Sequence, residues 1–149
     1  MGLFQSFDVC ATGMTAQRFR MDTIAQNIAN VNTTRTENGT PYRRKIVTFQ
    51  EKELNPVTFK DTLQYAKSFK GNGVRVSSVS SDMSTDFIKA YDPSHPDADE
   101  DGYVYYPNVN TVTEMTNLID SSRAYEANVT AFNAVKAMTQ SGISIGSSV

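Results

Sequence analysis

From the third residue onward the chain places Leu3, Phe7, Cys10, Met14, Gln17, Met21, Ile24, Ile28 and Val31 at alternating steps of four and three. Eight of these nine positions are apolar. A repeat of 3.5 residues keeps one side of an α-helix apolar along its length, the pattern by which one helix packs along another. A second stripe follows near the other end: Met115, Leu118, Tyr125, Val129 and Phe132, with Ser122 in its register. The spacing predicts a first helix that begins within the first few residues and fades near Val31, and a second over about 111–139. Gly142 and Gly146 then mark a small, polar, flexible tail. Two long helices at opposite ends, with a different kind of sequence between them, suggest an assembly subunit whose ends make the polymer and whose middle decorates it.

The middle region reads as short strands and turns. Residues 32–41 are rich in turn formers and end the first helix. Residues 42–49 read as a strand, with Tyr42, Ile46 and Phe49 among its larger side chains. Residues 50–70 are ambiguous, since Val57, Phe59, Leu63, Tyr65 and Phe69 fit strands while the charges between them fit a loop. Gly71-Asn72-Gly73 before Val74-Arg75-Val76 is a hairpin signal. Residues 87–91 and 103–106 read as two further strands. The fold class expected is therefore mainly α with a β insertion. Long terminal helices pack as a coiled-coil-like pair, and the middle is small, antiparallel and β-rich. The divisions fall at 1–34, 35–108 and 109–149.

Charge follows the same division. Residues 1–34 and 109–149, 75 in all, hold nine charged side chains, leaving 21 for the 74 between. The helices use Asn, Thr, Ser, Gln and Ala on their outer faces, which are polar but carry few charges that burial would have to desolvate. A net charge of −2 demands neither an acidic partner nor nucleic acid. The short cluster Arg43, Arg44, Lys45 reads as a strand with a solvated face. The single cysteine, Cys10, excludes an intrachain disulfide and sits on the apolar seam as a small hydrophobe. No stretch is long and apolar enough to span a bilayer. The first residues lack the basic start, apolar run and cleavage site of a secretory signal peptide.

Candidate chemistry is sparse. In the acidic loop 92–102, Asp97, Asp99, Asp101 and Gly102 match the first half of a calcium loop. The twelfth position from Asp97 is Asn108, where a bidentate Glu is needed, so a solvated turn closed by Asp-Gly is the better reading. His95, the only histidine, lies between prolines in an exposed turn with no nucleophile placed beside it. No catalytic residue, cofactor, metal or small-molecule substrate is expected. Asn27, Asn30 and Asn32 are poor helix formers. Their amides fit contacts between subunits or between the terminal helices for Asn27 and Asn30, and the helix end for Asn32.

The chain resembles the flagellar axial proteins of bacteria, and within them the basal-body rod family, most closely its proximal-rod members. The residues that carry this are Ala11-Thr12-Gly13-Met14-Thr15-Ala16-Gln17-Arg18, Met21-Asp22 and Asn27-Ile28-Ala29-Asn30-Val31-Asn32-Thr33. Tyr91-Asp92-Pro93 with residues 95–104, Pro107-Asn108-Val109-Asn110 and Ser122-Arg123-Ala124-Tyr125-Glu126-Ala127-Asn128-Val129 add to it. The resemblance implies a non-enzymatic structural subunit of the rod in the periplasm. It would be exported through the flagellar type III apparatus without a cleaved signal peptide, and would polymerise through its terminal helices with copies of itself and other rod proteins to transmit torque. The assembly interface expected is Leu3, Phe7, Cys10, Met14, Met21, Ile24, Asn27, Ile28, Asn30 and Val31 from the first helix, with Met115, Leu118, Tyr125, Asn128, Val129 and Phe132 from the second. Two alternatives remain open at this point: another axial protein of the rod and hook family, or an ion-binding or enzymatic module that uses loop 92–102.

Overall fold

The computed structural model describes residues 3–52 and 71–147. Helix α1 (Leu3–Ala29) forms where the 3.5-residue repeat runs, and helix α2 (Thr111–Ser147) forms at the other end. Between them lie β1 (Lys45–Glu51), β2 (Val74–Ser81), β3 (Ile88–Tyr91) and β4 (Tyr103–Tyr106). β1 pairs with β2, and β3 pairs with β4 in a second two-stranded sheet. The expected class, mainly helical with a small antiparallel middle, is the one observed.

The chain divides into two units. The first comprises Met1–Arg18, Phe49–Ser77 and Ser122–Val149; the second comprises Phe19–Thr48 and Ser78–Ser121. In the first unit, the Phe7 and Phe132 rings meet edge to face at 5.0 Å. One and a half turns further along α1, Gly13 faces Asn128, and a Cβ on Gly13 would lie 2.5 Å from Asn128 Oδ1. These two crossings place the helices antiparallel within this unit. Gly73, at φ +87°, precedes β2 and abuts Thr12, whose hydroxyl accepts from the Val74 N–H at 3.3 Å. Asn-Gly is therefore no two-residue hairpin turn. β1 and β2 are joined by residues 52–73, of which 53–70, with the ambiguous Val57, Phe59, Leu63, Tyr65 and Phe69, lie outside the described residues.

In the second unit, β3 and β4 pair in antiparallel register, Ile88 opposite Tyr106 and Tyr91 opposite Tyr103. Val104 and Val109 are buried there, with Ile24 and Tyr42. Loop 92–102 is the expected turn. Gly102 at φ +77° closes it, and the Asp92 N–H donates to the Gly102 carbonyl at 3.0 Å.

Three boundaries differ from expectation. α1 stops at Ala29, because the Asn30 amide turns back to the Gln26 carbonyl at 2.8 Å and the Thr33 N–H takes the Asn30 carbonyl. Thr33 also donates its hydroxyl to Asn30 Oδ1. Asn30 thus ends the helix, and Asn32, given that role from sequence, is exposed. β1 begins at Lys45 rather than Tyr42, whose backbone N–H goes to Thr33 and whose side chain is drawn inward. α2 runs to Ser147, so Gly142 and Gly146 lie inside a helix and not in a flexible tail. Nothing lies within 4 Å of either glycine's added Cβ, so neither marks a close approach.

The close helix approach at Gly13 gives a stability prediction. Gly13→Leu overpacks it and lowers stability by about 1–3 kcal/mol in urea unfolding, and adding Asn128→Ala recovers part of the loss.

Candidate functional site

Among the described residues, the most connected polar cluster lies in the second unit. Asn27 on α1 is fully buried, at 0% exposure. Its Nδ2 donates to the Lys45 carbonyl and to Glu114 Oε2, both at 2.9 Å. Its Oδ1 accepts from the Tyr42 hydroxyl and the Lys45 N–H, again at 2.9 Å. The amide's two donors and two acceptor sites are all used. The bond to Glu114 joins the two terminal helices, as expected for Asn27.

Glu114, 1% exposed, sits in the first turn of α2. Asn110 starts that helix by accepting the Thr113 N–H on its side-chain oxygen at 3.2 Å. Position 114 therefore feels the positive end of the helix dipole. The main compensation comes from Arg44, whose Nε and Nη2 reach Glu114 Oε1 at 2.8 and 2.7 Å. The Arg43, Arg44, Lys45 cluster is thus not a solvated strand face, since Arg44 points inward to a buried carboxylate. Burial raises the Tyr42 pKa, and the charge of Glu114 adds to the rise, so the phenol stays neutral and donates.

Asn108 and Asp82 brace the Arg44 side of this network. The Arg44 N–H donates to Asn108 Oδ1 at 2.8 Å, and Asn108 Nδ2 donates to the carbonyls of Asp82 and Thr85, both at 3.1 Å. Arg44 Nη1 lies 3.9 Å from Asp82 Oδ2. The Asp82 carboxylate accepts from the hydroxyls and backbone amides of Ser84 and Thr85, which hold its pKa at about 2, below the ordinary 3.8. Arg43 donates to the Asp82 carbonyl at 2.8 Å and lies over the Phe87 ring.

Phe7, Cys10, Met14, Met21 and Ile28 are half-buried and Ile24 is buried; the Leu3 side chain lies outside the described residues. Val31, also half-buried, lies just past the helix end. Burial extends to one flank, where Ala16, Thr23 and Asn27 are the deepest positions besides Ile24. Asn30 is half-buried, and its amide bonds within its own turn to the Gln26 carbonyl. On α2, Leu118, Tyr125, Asn128, Val129 and Phe132 are half-buried. Met115 departs from the stripe at 52% exposure, because Glu114 takes the inward position. The inward line is Glu114, Leu118, Ser121, Tyr125, Asn128, Phe132 and Val135, again at steps of four and three, and as far as Phe132 it alternates polar with apolar side chains.

Loop 92–102 is tied into its own unit. Asp97 accepts from the Thr34 hydroxyl at 2.8 Å and lies 3.7 Å from Arg35, and Asp92 accepts from Ser94. His95 is half-buried rather than exposed, its Nδ1 accepting from the Asp97 N–H. Among the described residues, no three His, Cys, Asp or Glu side chains converge to hold a metal. No helix there is long and apolar enough to cross a membrane.

Comparison with known proteins bears on what this cluster serves. Residues 7–35 match the family model described as flagella basal body rod protein, and residues 100–145 match the flagellar basal body rod FlgEFG protein C-terminal model. The chain is 48% identical to the flagellar basal-body rod protein FlgC of Borreliella burgdorferi, over 97% of this chain and 98% of that one. It belongs to the FlgC family of flagellar basal-body rod proteins. FlgC of Bacillus subtilis is 45% identical over 98% and 99% of the two chains, and FlgC of Escherichia coli is 36% identical over the same shares. Family membership makes this chain a structural rod protein of the bacterial flagellum, so neither another axial class nor an ion-binding module is favoured. The two model matches cover Asn27 and Glu114, one on each side of the network.

Two predictions test the network. Glu114→Ala leaves Arg44 half-buried without its partner and costs about 3–5 kcal/mol in chemical denaturation, whereas Glu114→Gln costs less. Asp82 has a lowered folded pKa, so its contribution is complete above the ordinary 3.8 and is lost as pH falls through about 2. The urea midpoint should therefore fall between about pH 4 and pH 2, and fall less in Asp82→Asn.

Proposed function

We propose that the chain is a subunit of the proximal rod that polymerises with copies of itself and with other rod proteins through the outer faces of α1 and α2. It transmits torque as a passive element and catalyses no reaction. It reaches the periplasm through the flagellar export apparatus and binds no nucleic acid. The observation that carries this reading is the apolar surface left on the helices. Val112, Met115 and Ile119 occupy one face of α2 at steps of three and four, and are 74%, 52% and 54% exposed. Phe4 on α1 and Met138, Ile143 and Ile145 on α2 are also exposed. A folded chain gains by covering such apolar stripes.

The polar side chains of the helices support burial as well. The hydroxyls of Thr15 and Thr23 on α1, and of Thr116, Ser121, Thr130 and Thr139 on α2, each donate to the carbonyl four residues back. A surface whose donors are already satisfied can be covered with little desolvation cost. The assembly interface proposed therefore centres on Met115 and its exposed neighbours, with the half-buried seam residues contributing their outer edges. Ile24 and Asn27 serve the interior of the subunit.

Met115→Asp with Ile119→Asp tests this in a strain lacking the wild-type gene. Both sites are exposed, so stability should change by no more than about 0.5 kcal/mol. Motility should be lost, with soluble protein present and the chain missing from purified basal bodies. Normal swimming would refute the interface.

A further inference from the structure

Within the second unit, β3 has an open edge. It pairs with β4 alone, in a sheet of two strands. The Asp92 N–H bonds to the Gly102 carbonyl, so in the antiparallel register Ala90 and Ile88 form the bonded pairs, with Val104 and Tyr106. The residues between, Lys89 and Tyr91, therefore turn their backbone N–H and C=O groups away from β4. Among the described residues no backbone group takes these up. The outer edge of β4 is partly closed, since the Tyr103 carbonyl accepts from the Asp99 N–H at 2.8 Å.

Open edges are commonly guarded by a lysine or a proline. Lys89 does not guard this one. Its ammonium leans across the sheet onto β4, 4.0 Å from the Tyr103 ring centre and 5.6 Å from that of Tyr105. Two exposed side chains stand along the edge on opposite faces, Ile88 at 53% and Tyr91 at 68%. The Tyr91 ring lies against Gly102, where an added Cβ would be 3.1 Å from its Cε2, and meets Tyr103 edge to face at 5.2 Å. The residues just before Gly102 are acidic. Loop 92–102 carries Asp92, Asp97, Asp99, Glu100 and Asp101 with no Lys or Arg. Glu100 and Asp101 are exposed and form no salt bridge among the described residues.

We infer that the outer edge of β3 takes an extended segment of a partner protein as a third strand, one whose side chains alternate between apolar and basic. Backbone hydrogen bonds to Lys89 and Tyr91 hold the segment. Its apolar side chains cover Ile88 on one face of the sheet. On the other face a guanidinium meets the Tyr91 ring and the carboxylates of loop 92–102, where the complementary charge selects a basic partner over an acidic one. The added strand uses none of the helix faces proposed for polymerisation and does not depend on the rod assignment.

A short peptide of alternating Val and Arg, titrated into the full chain and followed by amide NMR, tests this. The Lys89 and Tyr91 amides should shift and exchange their hydrogens at least about tenfold more slowly. The same peptide N-methylated throughout, or one of alternating Val and Glu, should bind at least about tenfold more weakly. Lys89→Pro removes an outward N–H together with a positive charge. Charge attraction alone would make this variant bind the basic peptide more tightly, whereas strand addition makes it bind at least about tenfold more weakly. Glu100→Lys with Asp101→Lys leaves the edge intact and should also weaken binding at least about tenfold at low salt. The methylated peptide probes the backbone bonds on the unmodified chain, so the strand contact is tested even if Lys89→Pro disturbs the hairpin. Shifts centred away from β3, equal binding of the methylated or the acidic peptide, or undiminished binding by either variant would overturn the inference. So would self-association of the unmodified chain through this edge, because the occupant would then be a second copy.

Discussion

The second unit depends on a carboxylate out of water. Glu114 is an ion buried in the first turn of α2, and an uncompensated ion there would cost more than the apolar contacts around it supply. Compensation comes from two directions in the sequence, the Asn27 amide on α1 and the Arg44 guanidinium just before β1. Three segments far apart in the chain are thereby held to one geometry. Apolar side chains would tolerate a slipped register between them, whereas an amide with all four hydrogen bonds made does not. The network specifies an arrangement more than it adds stability.

The first unit solves the same problem differently. Its helices approach at a glycine, where Asn128 fills the space a side chain on residue 13 would occupy while bonding its amide to the Ala124 carbonyl. Polar side chains that satisfy themselves on their own helix make a surface with few charges, and such a surface suits a subunit that is surrounded by others. The exposed apolar positions then lie in a setting where covering them costs little.

Much of this was legible in the sequence. The 3.5-residue repeat located α1 and its buried side, and the alternation around Tyr103 and the Asp101-Gly102 pair located the β3–β4 turn. The network was not legible as a unit. A search for apolar periodicity selects Met115 over Glu114, although Glu114 falls on the four-and-three line through Leu118, Ser121, Tyr125 and Asn128. Following that line irrespective of polarity would have found it. Arg44 was hidden because adjacent basic residues suggest a solvated face, and only the fold turns one of them inward. Asn27 was read as a contact between subunits or between the terminal helices, since an amide offers bonding without charge, and its bond to Glu114 is of the second kind. The extent of α2 was underestimated because Gly142 and Gly146 weaken a helix without ending it.

A reconstruction of the assembled rod at side-chain resolution tests the central claim, that the subunit keeps its polar network inside and offers its apolar helix faces outside. The expected result is Asn27, Arg44 and Glu114 bonded within each subunit while Val112, Met115 and Ile119 are covered by neighbouring subunits. A rod in which those three side chains face open water, or in which Glu114 pairs with a residue of another subunit, would contradict it.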